Sequence, residues 1–325
     1  MTVFIVQRLA QAIFVLFFLS LLIFLGVNVI GDPVDMLVDP NLGQEAREQA
    51  TRRLGLDRPV WEQYLTFLVR VAEGDFGRSF SYNEPAIKII LERMPATFEL
   101  ATAAVLISVV LGIPLGILAG YYPERPLGRT IMAGSIFGFS LPSFWVGLML
   151  IMTFAVFLGW LPSGGRGPTT GMMGVQVSFL TCEGMKHLFL PAVNLALFVL
   201  SFVIRITSAS VRETLPQDFV KYARAKGLST RRVLLVHVLR NVLVPVVTIV
   251  GLEFGTVLAF SVVTESVFAW PGMGKLLIDA IITLDRPLIV AYLMLVAIIF
   301  LAINLTVDIL YAIIDPRVRL MREAS

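Results

Sequence analysis

"KYARAKGLSTRRVLLVHVLRN", Lys221–Asn241, decides how the chain is read. It carries six basic side chains (Lys221, Arg224, Lys226, Arg231, Arg232 and Arg240), no acidic one, and a break at Gly227. Helix formers flank that glycine, and "VLLVHVL" feeds straight into an apolar run. A glycine at such a point permits a left-handed C-cap between two short helices. The expected product is a cationic helical elbow fused to a long apolar helix, a shape able to carry a push into it. Attraction to anionic lipid explains the charge of such a segment, but neither its length nor its break.

Working outward, the chain is 57% apolar and 15% charged with a mean hydropathy of +0.84, so its expected solvent is a bilayer. About 20 apolar residues at 1.5 Å rise cross the hydrocarbon layer. Six segments meet that length, near Leu9–Ile30, Phe98–Tyr121, Thr130–Leu158, Leu188–Ile206, Val242–Phe268 and Leu288–Ile313. The fold class expected is therefore all-α, a polytopic membrane protein of six helices. The first apolar run exceeds the core of a secretory signal and no small-residue cleavage site follows, so it reads as a span.

Basic residues set the orientation. The loops on the side of the termini hold Arg8, then Arg125 and Arg129, then Arg205, Arg212 and the opening stretch, then Arg317, Arg319 and Arg322. The short loops opposite hold only Arg166 with Lys186, and Lys275 with Arg286. The segment Gly31–Ala96 has eight basic and eleven acidic residues, and segments of about 60 residues or more cross largely regardless of charge. Both termini and the elbow are thus expected in the cytoplasm, against lipid headgroups.

The segment after the first span has helical texture. "GQEAREQATRRLGL" (43–56) is composed of helix formers, and "RPVWEQYLTFLVRV" (58–71) sets Trp61, Tyr64, Leu65 and Leu68 on one side. The second reads as an interfacial amphipathic helix. "PAIKIILERMP" (85–95) reads as a third short helix closed by proline. These helices either cap the bundle or dock a partner.

Inside the apolar runs, Gly112, Gly116 and Gly120 recur every fourth residue and predict close approach of another helix. Pro114 and Pro142 predict kinks, with Ser140 and Ser143 either repairing the freed carbonyls or lining a wet path. Four carboxylates stand at membrane depth or near it. Glu99 and Glu265 are close to span ends and expected to reach the interface; Glu253 is nearer mid-span, and Asp308 lies in the last turns of the sixth. Buried, such groups face the bundle interior, a partner or water. Pro271-Gly272 marks a turn before the short amphipathic helix "GKLLIDAII".

Several functions are excluded. Gly274-Lys275 is not a phosphate-binding loop, because Ala269 and Leu276 stand where that motif needs Gly and Ser or Thr. His187 and His237 form no zinc motif, so no metal site and no catalytic residue is expected. A net charge of +3 in clusters does not suggest nucleic acid, and the single Cys182 forms no internal disulfide.

The stretch "YARAKGLSTRRVLLVHVLRNVLVPVVT" resembles the cytoplasmic coupling loop of ATP-binding-cassette importer permeases, in the dipeptide/oligopeptide/nickel branch. "QRLAQAIFVL", "GLDRPVWEQYLTFL", "GDFGRSF", "ATFELA", "GIPLGILAG", "SLPSFWVGL", "TESVFAWPGMGKLLIDAI" and "NLTVDILYAIIDPRVRL" extend the similarity along nearly the whole chain. Ala223 and Gly227 match the wider superfamily's loop; Lys221 and Tyr222 replace its leading Glu-Ala, and His237 and Arg240 its closing Ile and Pro. The resemblance implies a type I permease fold with short periplasmic helices: a first helix and extracytoplasmic segment over 1–94, a five-helix permease domain over 95–313 with its loop at about 212–241, and a cytoplasmic tail over 314–325.

It further implies residues that meet an ATPase: Lys221, Tyr222, Ala223, Arg224, Ala225, Lys226, Gly227, Leu228, Arg231 and Arg232. For the translocation path or gate the candidates are Ser140, Pro142, Ser143, Glu253, Glu265, Pro271 and Gly272. The implied partners are a second homologous permease, two cytoplasmic ATPase subunits that bind ATP and Mg, and an extracytoplasmic solute-binding protein. This chain itself would bind no cofactor and catalyse nothing, and would sit in a bacterial inner membrane. Short peptides are the implied cargo, with nickel chelates, glutathione or other peptide-like solutes as alternatives. A carrier driven by ions through Glu253 or Asp308 is the rival mechanism.

Overall fold

The computed structural model describes residues 2–29, 43–54, 57–172 and 174–314. Its helices are α1 (Thr2–Val29), α2 (Gly43–Leu54), α3 (Val60–Ala72), α4 (Ala86–Tyr121), α5 (Pro126–Ser140), α6 (Ser143–Phe157), α7 (Cys182–Thr214), α8 (Asp218–Ala225), α9 (Thr230–Val267), α10 (Met273–Ile282) and α11 (Arg286–Ile314). A two-stranded hairpin, β1 (Thr170–Met172) and β2 (Val175–Val177), stands between α6 and α7, with Met172 opposite Val175. That hairpin was not expected; its turn holds Gly174 at φ 83°, a conformation glycine adopts without strain. Expectations that fell on Ile30, on 55–56 and on the tail beyond 314 lie outside the described residues.

Five described helices (α1, α4, α7, α9 and α11) are long and apolar enough to cross a membrane. The sixth span takes a different form from the single kinked helix expected over Thr130–Leu158: α5 and α6 meet at a 103° bend. Leu141 is extended at ψ 136°, as a residue before proline prefers, and Pro142 brings no N–H to continue the ladder. A second correction concerns Pro95, which closes no helix. The α4 helix runs through both Pro95 and Pro114, and the 85–95 segment is its first turns. A proline inside an apolar helix is tolerated where neighbouring groups satisfy the freed carbonyl.

The chain divides into two compact units, Met1–Met94 with Lys275–Leu301, and Pro95–Gly274 with Ala302–Ser325. In the first, α3 lies against α1: Phe24 meets Tyr64 and Phe67 at ring separations of 5.3 and 5.8 Å, and the hydroxyls of Ser20 and Tyr64 are 2.9 Å apart. The face expected on α3 is thereby split. Tyr64 packs, but Trp61 and Leu65 stay more than half exposed, in the direction that α1 does not cover. The loop before α4 folds onto the start of α11, where wholly buried Asp285 accepts from the Ser79 hydroxyl, the Ser81 amide at 3.0 Å and the Leu288 amide at 3.4 Å. Asp285 is thus the N-cap of α11.

In the second unit α7 is central. A Cβ added to Gly112, Gly116 or Gly120 of α4 would come within 2.5–2.7 Å of Val203, Thr207 or Val211 and the Ser208 carbonyl of α7. The four-residue spacing is therefore a packing stripe, as the sequence predicts. The Ser108 hydroxyl bridges to the Ala196 carbonyl at 2.9 Å, and Ser201 of α7 donates to the Ser135 carbonyl of α5 at 2.6 Å.

Candidate coupling elbow and gate

The elbow forms as its sequence requires. α8 ends in a Schellman motif: the Leu228 amide donates to the Ala223 carbonyl at 3.4 Å and the Gly227 amide to the Arg224 carbonyl at 2.9 Å. Gly227 sits between them at φ 76°. α9 then begins at Thr230 and passes through a π-helical stretch, Val233–Val238, before its long apolar run. Val220, Ala223, Val233 and Val238 are buried, so the two arms share a small core.

The expected contact residues fall into two groups. Ala223 is buried and Leu228 half-buried, while Lys221, Tyr222, Arg224, Ala225, Lys226, Gly227, Arg231 and Arg232 are exposed. The Lys226 ammonium lies 4.6 Å from the Tyr222 ring centre, a cation–π pair on the surface. Lys221 pairs with Asp218 at 2.9 Å, and its hydrogen bond and charge hold the Asp218 carboxyl below the usual carboxylate range. A depressed folded-state pKa contributes stability above the unfolded value that is lost as pH falls through the lowered one; with both groups exposed the contribution is small. Asp218 and Phe219, the latter 39% exposed, belong to the same surface and lie just before the stretch that the sequence singles out. The signal for them was the spacing of Val220, Ala223 and the acidic first turn of a helix.

The gate candidates do not form one site. Glu265, Pro271 and Gly272 come together at the end of α9 remote from the elbow. Glu265 is wholly buried, which corrects the expectation that it reaches the interface. Its carboxylate accepts from the hydroxyls of Thr97 at 2.7 Å and Ser261 at 3.1 Å, and a Cβ on Gly272 would stand 2.5 Å from it. Thr97 in turn accepts from the Met273 amide at 2.8 Å, and the Trp270 indole donates to the Ala96 carbonyl at 2.9 Å. The knot closes because burying a carboxylate demands donors, and the Pro-Gly turn delivers backbone to it.

Glu99 is corrected likewise. Its side chain is 3% exposed and meets the Arg166 guanidinium at 2.6 Å. The Ser178 amide and hydroxyl, each at 2.7 Å, and the Phe179 amide at 2.8 Å complete its shell. Thr97 and Arg166 were missed as site residues, because nothing in a linear pattern shows which carboxylate an arginine 67 positions away will meet.

Ser140, Pro142 and Ser143 sit at the α5–α6 bend. Ser140 donates back to the Ile136 carbonyl at 2.9 Å within its own helix, not to a carbonyl that Pro142 frees. Ser143 lines a cavity of about 380 Å³ with Asn194, Phe198, Thr256, Phe260 and Thr264. Asn194 is buried, donates to Thr264 at 3.0 Å and leaves its Oδ1 without a partner. Glu253 is half-buried with a buried, unpartnered Oε2, in neither the knot nor the cavity wall. Among the described residues no group of three or more His, Cys, Asp or Glu side chains is placed to hold a metal ion.

Residues 112–320 match the binding-protein-dependent transport system inner membrane component family, and residues 1–101 match the N-terminal region of such membrane components. The chain belongs to this family. It is thus a multi-pass inner-membrane component of a transport system. Relatives in the family cover nearly all of it. The di/tripeptide transport system permease DppB of Pseudomonas aeruginosa is 41% identical over 98% of this chain and 99% of its own. The dipeptide permease DppB of Escherichia coli is 37% identical over 97% and 98%, and the oligopeptide permease AppB of Bacillus subtilis 37% over 98% and 99%. A solved structure of the MetNI methionine ABC transporter in inward-facing conformations is similar in fold, with a TM-score of 0.54 at 17% identity over 70% of this chain and 96% of that one.

Proposed function

We propose that this chain is the permease subunit of an ATP-driven importer of short peptides, and that α8 and the start of α9 are where a cytoplasmic ATPase docks. The observation that carries the coupling role is the elbow: a capped, self-packed pair of helices with an exposed aromatic and cationic face, continuous with a long apolar helix. A soluble partner that moves it moves α9. The cargo class is supported by relatives named for di-, tri- and oligopeptide transport along the full chain. By this reading a second permease completes the pathway, two ATPase subunits hold ATP and Mg, and a solute-binding protein delivers peptide. Both termini and the elbow face the cytoplasm. The organisation is a first helix with an extracytoplasmic segment over 1–94, the permease domain over 95–313 and a tail over 314–325; the Glu265 knot and the Pro271-Gly272 turn act at the gate.

Gly227→Pro in the assembled transporter tests the coupling. Proline fixes φ near −65° and removes the amide that meets the Arg224 carbonyl, so the Schellman cap cannot form. Expected are normal insertion and continued ATP hydrolysis with peptide uptake reduced to background. Full uptake by that variant, or failure of Tyr222→Cys to cross-link to an ATPase subunit at any stage of the cycle, overturns the assignment. Uptake that resists vanadate but collapses with a protonophore would install the ion-driven rival.

A further inference from the structure

The geometry points to Arg205 and Glu253 as a two-charge reader of the free termini of the transported peptide, a step that rests on the chain being a peptide permease. Asn194, Phe198, Phe202 and Arg205 follow one another at intervals of four, four and three residues along α7, so they share a face. Thr264, Phe260, Thr256 with Val257, and Glu253 do the same along α9. Both rows begin in the cavity wall, and the Asn194–Thr264 hydrogen bond fixes their register.

α7 ends at the elbow and α9 leaves from it, so two helices in contact at 194 and 264 run antiparallel. From that hydrogen bond Arg205 is eleven residues along α7 and Glu253 eleven along α9. At 1.5 Å per residue both stand about 16 Å nearer the elbow than that hydrogen bond, at one level along the helix pair and beyond the residues that line the cavity. The charges are opposite and yet not joined: among the described residues Arg205 makes no ion pair, and no donor meets the buried Oε2 of Glu253.

Arg205 is held ready by aromatic and backbone groups. The Arg205 guanidinium stacks 4.7 Å from the Phe202 ring centre and 5.4 Å from Phe139, which lines the cavity, and its Nε donates to the Ser201 carbonyl at 3.3 Å. Its terminal nitrogens have no acceptor among the described residues. An ionisable group left so within a membrane helix bundle marks a ligand or ion pathway by default. An extended dipeptide spans about 7 Å. A zwitterionic di- or tripeptide lying along the α7–α9 face would set its carboxylate on Arg205 and its ammonium on Glu253, next to an aromatic wall that tolerates varied side chains.

The test uses the assembled transporter in proteoliposomes with dialanine, N-acetyl-dialanine and dialanine amide. Glu253→Gln should slow dialanine uptake about tenfold, the size of one lost charge-assisted hydrogen bond, and leave the N-acetyl form unchanged. Arg205→Gln should do the same for dialanine and spare the amide, with Arg205→Lys restoring part of the rate. Equal slowing of all three peptides, or loss of the partner subunits on purification, overturns the pair and makes these charges subunit contacts. No uptake of any peptide by the unmodified transporter overturns the peptide reading and the pair with it.

A second readout needs no solute-binding protein: maleimide labelling of Thr256→Cys in a Cys182→Ser background. Dialanine should slow labelling, the blocked peptides should not, and Glu253→Gln should abolish the protection. Equal protection by all three peptides overturns the inference.

Discussion

The elbow and the Glu265 knot stand at opposite ends of α9 and are built with the same backbone device. At the elbow a Schellman cap turns on Gly227 at φ 76°; after α9 another turns on Ala269 at φ 48°, with the Trp270 amide on the Glu265 carbonyl at 2.8 Å. One cap is followed by exposed cations and the other by a wholly buried tryptophan. The elbow is a surface whose conformation is set locally, so it can be pushed without being dismantled. The knot is held by side chains from distant parts of the chain and changes shape only by breaking buried bonds. Stability is thus concentrated at the end remote from the elbow.

That contrast is most easily broken at Arg166, whose guanidinium pairs with buried Glu99 and lies 5.9 Å from the ring centre of the knot's Trp270. Arg166→Met leaves the Glu99 carboxylate with Ser178 and Phe179 but no cation, and removing one partner of a buried ion pair costs about 3–5 kcal/mol. Thermal unfolding in detergent should show a large drop in midpoint, where Arg224→Met on the elbow surface should show almost none. Equal shifts would mean that the knot is no more rigid than the elbow. Gly272→Ala should follow in size, at about 1–3 kcal/mol, because its Cβ must push into the Glu265 carboxylate. A midpoint unchanged by that substitution would show that the Pro-Gly turn relaxes freely.

The difference also explains what could be read without coordinates. The elbow was legible because its determinants are contiguous: cations, helix formers and one glycine within Lys221–Asn241. The glycine stripe on α4 was legible for the same reason, since helical spacing is a property of one segment. Glu265 and Glu99 were visible only as isolated carboxylates near span ends, which suggested the interface. Their donors come from Thr97, Arg166 and Ser178, and pairing across such separations leaves no trace in periodicity. Pro142 was legible as a disturbance but not as a 103° turn, because the angle depends on what packs against each arm. Pro95 misled because proline more often ends a helix than continues one.

The smallest expected effects are the most discriminating, because they exchange the two caps. Gly227→Ala places a Cβ in a left-handed position with nothing within 4 Å of it, so the only loss is backbone strain of about 1–2 kcal/mol. Ala269→Gly removes that same strain from the knot and should gain about 0.5–1 kcal/mol, less than the full strain because glycine also raises the entropy of the unfolded chain. If the elbow acts as a lever, Gly227→Ala should lower uptake per ATP hydrolysed while leaving the unfolding midpoint almost unmoved, since a surface turn contributes little to global unfolding. Ala269→Gly should do the reverse, raising the midpoint with coupling intact. Matching changes in both quantities for both variants would show that α9 transmits strain between its ends, and would replace two separate devices with one.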